Sequence, residues 1–231
     1  MVRGRSSGYD GQREVILEQA ARLFARQGYS ATSMNQVAAA CGLSKATLYH
    51  YYRDKYSMLL SIADEHVSRL QALVESGAAG PSPRAYLEGL IRRIVAEYAS
   101  AQHAHRVLTE DVKFLLPDDQ QRVLDKERQV VGGFARAVAA VRPELADAGL
   151  AKPLTMLLFG MINWMFTWMK PDGVLTHEAM APIVSDLFFG GLSAVRAQSI
   201  PQGTADAAAA DPGQQLEGCA PAPLRLQHAG G

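Results

Sequence analysis

The sequence predicts an all-α protein, with a three-helix helix-turn-helix head followed by a larger body of about six helices. From about residue 12 onward, apolar residues recur at the spacing of one helical face. Prolines and glycines interrupt this pattern at intervals of one helix length, and no alternating run with strand composition competes with it. Hydrophobic residues make up 48% of the 231 residues, so the chain can bury a sizeable core.

Composition divides the chain into four segments. Residues 1–11 are rich in Gly, Ser and Arg, and we expect them to form a flexible arm. Residues 12–54 form the predicted head, and residues 55–196 form the predicted body. Residues 197–231 contain Ala, Gly, Pro and Gln with few large apolar side chains, so they predict a disordered tail.

The head is predicted to contain three helices with local start and stop signals. Ser33 and Gln36 have the spacing of a capping box, in which a hydroxyl and an amide satisfy free backbone N–H groups. Gly42 permits a tight turn, and Ser44 caps a third helix that runs to about Tyr51. The first helix precedes this pair, with Ile16, Ala20, Leu23 and Phe24 on one face and Gly28 at its end.

The body is predicted to be helical throughout, with a linker over residues 77–83. Ser82 and Pro83 are a favourable helix start, because proline suits the first helical position. The predicted helices of the body cover residues 55–76, 83–101, 104–116, 118–142, 153–169 and 177–196.

The third helix is predicted to enter the major groove of DNA, as the second helix of this motif does. Lys45 can donate to guanine O6 or N7, and Ala46 is small enough to approach a thymine methyl group. Leu48 and Tyr52 lie four residues apart and are expected to face the bundle. The outward-facing set is Lys45, Ala46, Thr47, Tyr49 and His50, and the hydroxyls of Ser44 and Thr47 can bond a base or a phosphate.

Charge is consistent with a polyanionic partner for the head. Eight Lys or Arg against four Asp or Glu give residues 1–60 a net charge of +4, and the remaining chain carries −4. Lys55 opens the fourth helix, where its ammonium and the free N–H groups could both meet a phosphate. Arg3 and Arg5 could reach a minor groove, or they could belong to a disordered segment.

Three stretches, residues 20–29, 32–38 and 42–55, together resemble the N-terminal domain of the TetR/AcrR family of repressors. The resemblance implies a DNA-binding head, a helical body that binds an effector, and a homodimer on a palindromic operator. It also implies that the outward-facing set touches bases or nearby phosphates. Ser33, Tyr51 and Lys55 would then hold the DNA backbone.

The last two helices are predicted to form the dimer interface, as they do in the family. Residues 154–168 are hydrophobic nearly all round, which is typical of a helix buried on every side. The alternative is that both helices belong to the core of a monomer. The predicted interface residues are Met156, Phe159, Gly160, Ile183, Leu187, Phe188 and Gly191.

A largely apolar effector cavity with a few polar anchors is also predicted. Residues 163–173 and 186–192 are similar to TetR-family members that control fatty-acid, phenylacetate or steroid catabolism, several of which respond to acyl-CoA thioesters. Cations that could meet the CoA phosphates are Arg92, Arg93, Arg106, Lys113 and Arg128. The residues predicted to line the cavity, each of which could instead be ordinary core, are Tyr98, Arg106, Glu110, Phe114, Asn163, Trp164, Thr167 and Trp168.

Several other classes of protein are not indicated. No run of about 18 apolar residues predicts a membrane span, and no signal peptide is recognisable, so we expect a cytoplasmic protein. Cys41 and Cys219 do not suggest a disulfide framework. His103 and His105 do not share a helical face and are expected at the surface or at the start of a helix, so we expect no metal site and no cofactor.

Two alternative functions remain open from the sequence. A helical enzyme or carrier would need a nucleophile–base pair or a cofactor motif, and the sequence shows neither. A DNA-binding protein without an effector would be favoured by a filled core between residues 83 and 170.

Overall fold

The computed structural model describes residues 7–76, 81–169 and 175–196, and these ranges contain helices and no strand. The predicted all-α class is therefore confirmed. The elements are α1 (Ser7–Gln27), α2 (Met34–Ala40), α3 (Lys45–Tyr51), α4 (Lys55–Glu75), α5 (Pro83–Ser100), α6 (Gln102–Glu110), a 3₁₀ turn (Val112–Phe114), α7 (Pro117–Val141), α8 (Pro143–Asp147), α9 (Ala151–Trp168) and α10 (His177–Ala194).

The head consists of α1, α2 and α3 around a small apolar core. Ile16, Phe24 and Leu48 are fully buried in this core, as their spacing predicts. Gly28 ends α1 with φ 86°, and Gly42 turns the chain between α2 and α3 with φ 65°. Both glycines adopt the left-handed conformation that a side chain would disfavour, so the two turns depend on them.

The first helix begins earlier than predicted, at Ser7, so residues 7–11 are not part of a flexible arm. The Tyr9 ring stacks on Tyr51 with centroids 4.8 Å apart, which gives the first turn of α1 an apolar partner across the head. The remainder of the predicted arm, with Arg3 and Arg5, lies outside the described residues.

The body is organised around α4, which continues from the head and packs against α5, α6 and α7. In turn α7 packs against α9, and α10 packs against α5. Gly133 lies at a close approach of α4 and α7, because a Cβ atom there would overlap Val74 Cγ1. One continuous apolar core therefore joins head and body.

Two elements of the body differ in kind from the prediction. The helix predicted over residues 104–116 is α6 followed by the 3₁₀ turn, and α8 was not predicted because Pro143 was interpreted only as a break. Ser82 caps α5 with Pro83 at its first position, as predicted. Residues 77–80 of the predicted linker and all of the predicted tail lie outside the described residues.

Candidate DNA-binding surface and interior effector site

The recognition helix α3 is held at its start by its own cap. The Ser44 hydroxyl accepts the backbone N–H of Thr47 at 3.1 Å, and the two hydroxyls lie 2.8 Å apart. The capping box predicted for α2 is present, because Ser33 Oγ accepts the Gln36 N–H at 3.3 Å and Gln36 Oε1 accepts the Ser33 N–H at 2.8 Å. These local bonds fix the first turns of both helices.

One face of α3 is exposed and the opposite face is buried. Leu48 and Tyr52 are buried in the head, so the predicted orientation of the helix is confirmed. Lys45 Nζ lies 5.8 Å from the centroid of the Tyr49 ring. The exposed residues are Ser44, Lys45, Ala46, Thr47, Tyr49 and His50, and they form one polar and cationic surface.

Contacts from α1 hold the C-terminal end of α3. Arg13 Nε donates to the Tyr52 hydroxyl at 2.8 Å, and burial raises the pKa of Tyr52 to about 12. Tyr51 is half-buried beneath Tyr9. The predicted contact of Tyr51 with the DNA backbone would therefore have to be made by the Tyr51 hydroxyl, at the edge of the stacked rings.

Lys55 does not occupy the position that the sequence predicted. Its ammonium donates to the carbonyl oxygens of Tyr29 at 2.6 Å, Thr32 at 2.8 Å and Ser30 at 3.3 Å, which uses all three N–H groups. The first turn of α4 is also capped already, because the Asp54 carboxylate accepts the backbone N–H of Ser57 at 2.7 Å. The predicted phosphate site at Lys55 is therefore replaced by a contact that organises the α1–α2 loop.

A cluster of polar side chains lies inside the body. His66 Nε2 lies 3.3 Å from His105 Nδ1, and the Tyr98 ring stacks on His105 with centroids 3.6 Å apart. All three side chains are buried, and burial lowers the pKa of His66 to about 4 and that of His105 to about 3. Both imidazoles are therefore neutral at pH 7.

Further helices contribute to this interior cluster. The Phe166 ring of α9 packs between the rings of Tyr98 and His177. Burial lowers the pKa of His105, and Asn163, an exposed residue of α9, partly offsets that shift. His177 Nε2 is buried without a hydrogen-bond partner among the described residues. From α7, the charge of Glu127 acts on Tyr98, and burial raises the pKa of Glu127 to about 7. We define the interior cluster by its polar members His66, Tyr98, His105, Glu127 and His177, together with Asn163, which lies at its solvent-exposed edge.

The structure brings together only two of the predicted effector residues, Tyr98 and Asn163. Arg106 and Glu110 form an exposed ion pair at 2.9 Å, one turn apart on α6. Phe114 contacts Tyr29 at the base of the head. The three remaining residues, Trp164, Thr167 and Trp168, lie on the exposed side of α9 and not in the interior.

Of the two placements predicted for His105, the surface is wrong, since the residue is 6% exposed, whereas its position early in α6 agrees with the start of a helix. The strong segregation of apolar residues to one side of the short helix α6 is the signal that could have indicated its burial. Three of the predicted phosphate-binding cations already have carboxylate partners, Arg92 with Glu88, Arg106 with Glu110 and Arg128 with Asp125.

An apolar surface runs along the outer sides of α9 and α10. Leu157 and Leu187 are 66% and 65% exposed. Phe159 and Phe188 were assigned wrongly to this surface, because both are buried in the subunit's own core, where Phe159 contacts Phe134. We define the outer face by its exposed residues Met156, Leu157, Gly160, Trp164, Trp168, Ile183, Leu187 and Gly191.

Metal sites and membrane spans are two further features that the described part of the chain does not contain. Within residues 7–76, 81–169 and 175–196 there is no group of three or more His, Cys, Asp or Glu side chains that could hold a metal ion. No helix in these ranges combines the length and the apolar character that crossing a membrane requires.

Comparisons with known proteins agree with this architecture. Residues 16–62 match the tetR family of bacterial regulatory proteins, and residues 80–192 match the tetracyclin repressor-like C-terminal domain. The HTH-type transcriptional repressor KstR2 of Rhodococcus jostii is 25% identical over 195 residues, which span 81% of this chain and 94% of that protein.

Solved structures show the same fold. A TetR-family transcriptional regulator from Bordetella parapertussis is 34% identical, with a TM-score of 0.72 over 80% of this chain and 97% of that one. AibR, in a complex with isovaleryl coenzyme A and operator DNA, is 25% identical, with a TM-score of 0.63 over 76% of this chain and 97% of its own. The chain described here therefore belongs to the TetR family of DNA-binding transcriptional regulators.

Proposed function

We propose that this protein is a ligand-responsive repressor that binds a palindromic operator as a homodimer in the cytoplasm. A small hydrophobic effector, an acyl-CoA thioester of a catabolic pathway, releases it from DNA. The observation that carries the proposal is the exposed face of α3, which presents Lys45, Thr47 and His50 together while Leu48 anchors the helix in the head.

The two-fold symmetry follows from the geometry of DNA. A single α3 covers only a few base pairs, and two such helices roughly 34–36 Å apart reach successive major grooves. A symmetric dimer that presents α3 twice reads an inverted repeat. The outer face on α9 and α10 supports this assembly, because a surface with exposed Leu157, Trp164 and Leu187 gains free energy when a second copy covers it.

The interior cluster is the proposed site for the effector's acyl end. A thioester carbonyl could accept a hydrogen bond from the Tyr98 hydroxyl or the Asn163 amide. The cluster holds two neutral imidazoles and the partly buried carboxyl of Glu127, and a free carboxylate would be repelled by that carboxyl. This chemistry favours a neutral thioester over the corresponding acid, and the binding of isovaleryl coenzyme A by AibR supports the same class.

A second candidate is a DNA-binding protein that has no effector. The rings of Tyr98 and His105 are in direct contact, with centroids 3.6 Å apart, so an acyl chain would have to displace one of them. A hollow of about 290 Å³ lies elsewhere, between α4, α5 and α7, and is lined by Val74, Tyr86 and Ala140.

Selection from a palindrome-enriched DNA library, with and without a pool of acyl-CoA esters, tests both candidates. We expect a palindrome to emerge and at least one ester to release it, whereas the matched free acids leave the complex intact. A palindrome that no ester releases would favour the second candidate. Failure to select any palindrome would contradict DNA binding by the exposed face of α3.

Two variants locate the effector. Tyr98→Phe keeps the ring on His105 but removes the hydroxyl, so about fivefold more ester should be needed for release, as expected for one lost hydrogen bond. The control is Thr167→Val on the exposed side of α9, where the hydroxyl donates only to the Trp164 carbonyl. If both variants respond as the wild type does, the ester does not bind at Tyr98.

A further inference from the structure

We infer that Tyr29 is one residue through which the body controls the orientation of the recognition helix. Tyr29 lies in the loop between α1 and α2, in contact with Lys55 from α4 and with Phe114 from the segment that follows α6, and near the buried Asp111 of the same segment. We call this set the Tyr29 clamp. The inference rests on the proposed binding of operator DNA, but it does not depend on the identity of the effector.

The body side of the Tyr29 clamp packs on the Tyr29 ring and places a carboxyl group nearby. The Phe114 ring lies 5.3 Å from the Tyr29 ring, measured between centroids. Asp111 is 7% exposed, and its charge acts on Tyr29, whose pKa is raised first by burial and then by the charges of Asp54 and Asp111. A movement of Tyr29 relative to this segment would therefore alter the surroundings of a buried carboxyl group.

Contacts at the head side of the Tyr29 clamp hold the same loop. Besides its bonds to the loop carbonyls, the Lys55 ammonium contacts the Tyr29 ring, and Nζ lies 4.3 Å from the ring centroid. Thr32 is buried, and its hydroxyl donates to the Gly28 carbonyl at 2.9 Å. The next residue, Ser33, is the cap of α2. The loop is therefore a rigid connection between Tyr29 and the start of the helix-turn-helix.

The arrangement links the interior cluster to α3 through short steps. Helix α6 carries His105 in the interior cluster and ends at Asp111, so a shift of α6 at His105 also displaces Asp111 and Phe114. Within the head, α2 packs against α1 and α3 packs against α2. The position of α3 therefore follows that of the loop, and a body that moves Tyr29 reorients the helix that reads DNA.

Coupling between two sites is reciprocal: if the body changes the orientation of α3, then DNA bound at α3 must also change the body. Operator DNA can therefore serve as the probe. The experiment is amide hydrogen exchange of the full-length protein with and without a palindrome selected from the library. In the wild type, DNA should protect residues 44–51 directly and should also change exchange in residues 102–115. In Phe114→Ala and Asp111→Asn, the DNA-induced change in the hydrogen exchange of residues 102–115 should be about fivefold smaller, in line with the lower end of the usual coupling between two sites. Saturating DNA should still protect α3 in both variants.

Leu116→Ala is the matched control. It removes a large apolar side chain from the same segment, but that side chain is 62% exposed and leaves the Leu116 N–H free to donate to the Tyr56 hydroxyl. Retention of the wild-type response in both clamp variants, or its equal loss in Leu116→Ala, would overturn the inference. A wild type that binds DNA without any change in the body would also overturn it, whereas a wild type that binds no palindrome refutes the proposed function itself.

Discussion

Lys45 and Lys55 lie ten positions apart in the chain, yet their ammonium groups have different surroundings. Lys45 is exposed on α3, with the Tyr49 ring as its neighbour. Lys55 is partly buried, and desolvation lowers its pKa from the usual value. Both residues were predicted from the sequence to contact DNA, because no local pattern shows that the α1–α2 loop points three carbonyl oxygens toward the start of α4.

The two lysines should therefore respond differently to truncation. Lys55→Ala should lower the free energy of unfolding by about 2 kcal/mol, because three carbonyls lose a charged donor. Lys45→Ala should leave stability unchanged and should cost roughly 1–3 kcal/mol of discrimination at one operator position. Urea unfolding and binding to a set of single-base operator variants measure the two effects. Equal stability of both variants would contradict the structural role of Lys55.

Glu127 should make stability depend on pH. Its pKa is raised by burial from 4.5 to about 7 in the folded protein, so the folded state binds the proton more tightly than the unfolded state does. This contribution to stability is present in full below pH 4.5 and is lost as the pH rises through 7. The effect of Glu127→Gln on the free energy of unfolding should therefore be about 2 kcal/mol more favourable at pH 8 than at pH 5.

Chemical unfolding of both proteins at pH 5 and pH 8 measures this difference, and contributions from His66 and His105 cancel because both proteins contain them. The control is Glu110→Gln, whose carboxylate is exposed beside Arg106. A difference of the same size in the control would show that burial of Glu127 is not the cause.

Elements whose limits depend on local chemistry were predicted well from the sequence. Capping by Ser33 and Ser44 involves residues three positions apart, and such bonds can be inferred without the tertiary fold. The orientation of α9 could not be inferred, because nearly every residue there is apolar and the pattern does not distinguish a core-facing Phe159 from an outward Leu157. The same limit applies to Phe188 on α10.

The candidate site was predicted in part for the same reason. The recognition helix is a single local motif, so its exposed face followed from the spacing of Leu48 and Tyr52. The interior cluster gathers residues from α4, α5, α6, α7, α9 and α10, and only packing brings them together. Two of its histidines, His66 and His105, are 39 positions apart in the chain, and no local pattern pairs them.

Contact between α4 and α7 should tolerate no side chain at Gly133. In Gly133→Ala the new methyl group would meet Val74, and overpacking of this kind should lower the free energy of unfolding by about 1–3 kcal/mol. Gly89→Ala on α5 is the control, because nothing lies within 4 Å of the position that its new methyl group would take and alanine favours a helix. Thermal denaturation should therefore separate the two variants, and similar melting temperatures would contradict the close approach.

At the scale of the whole molecule, we expect the outer face to determine whether the repressor can span two half-sites. Leu187→Glu places a charge on this surface without disturbing the subunit's core, so the protein should become monomeric and lose most of its operator affinity. Leu116→Glu changes an equally exposed leucine away from the outer face and should remain dimeric. Light scattering after gel filtration measures both masses, and a dimeric Leu187→Glu would exclude this surface as the interface.

Helix α4 belongs to both parts of the molecule, and this bears on how such proteins can be recombined. Its first residue, Lys55, completes the head, whereas its later turns from Ile62 to Val74 are buried in the body. A chimera joined at the start of α4 would separate a new head from the lysine that closes its loop. A chimera that keeps the contact between body and head must include α1 to the first turn of α4. It must also include the segment Asp111–Phe114, which packs against the α1–α2 loop.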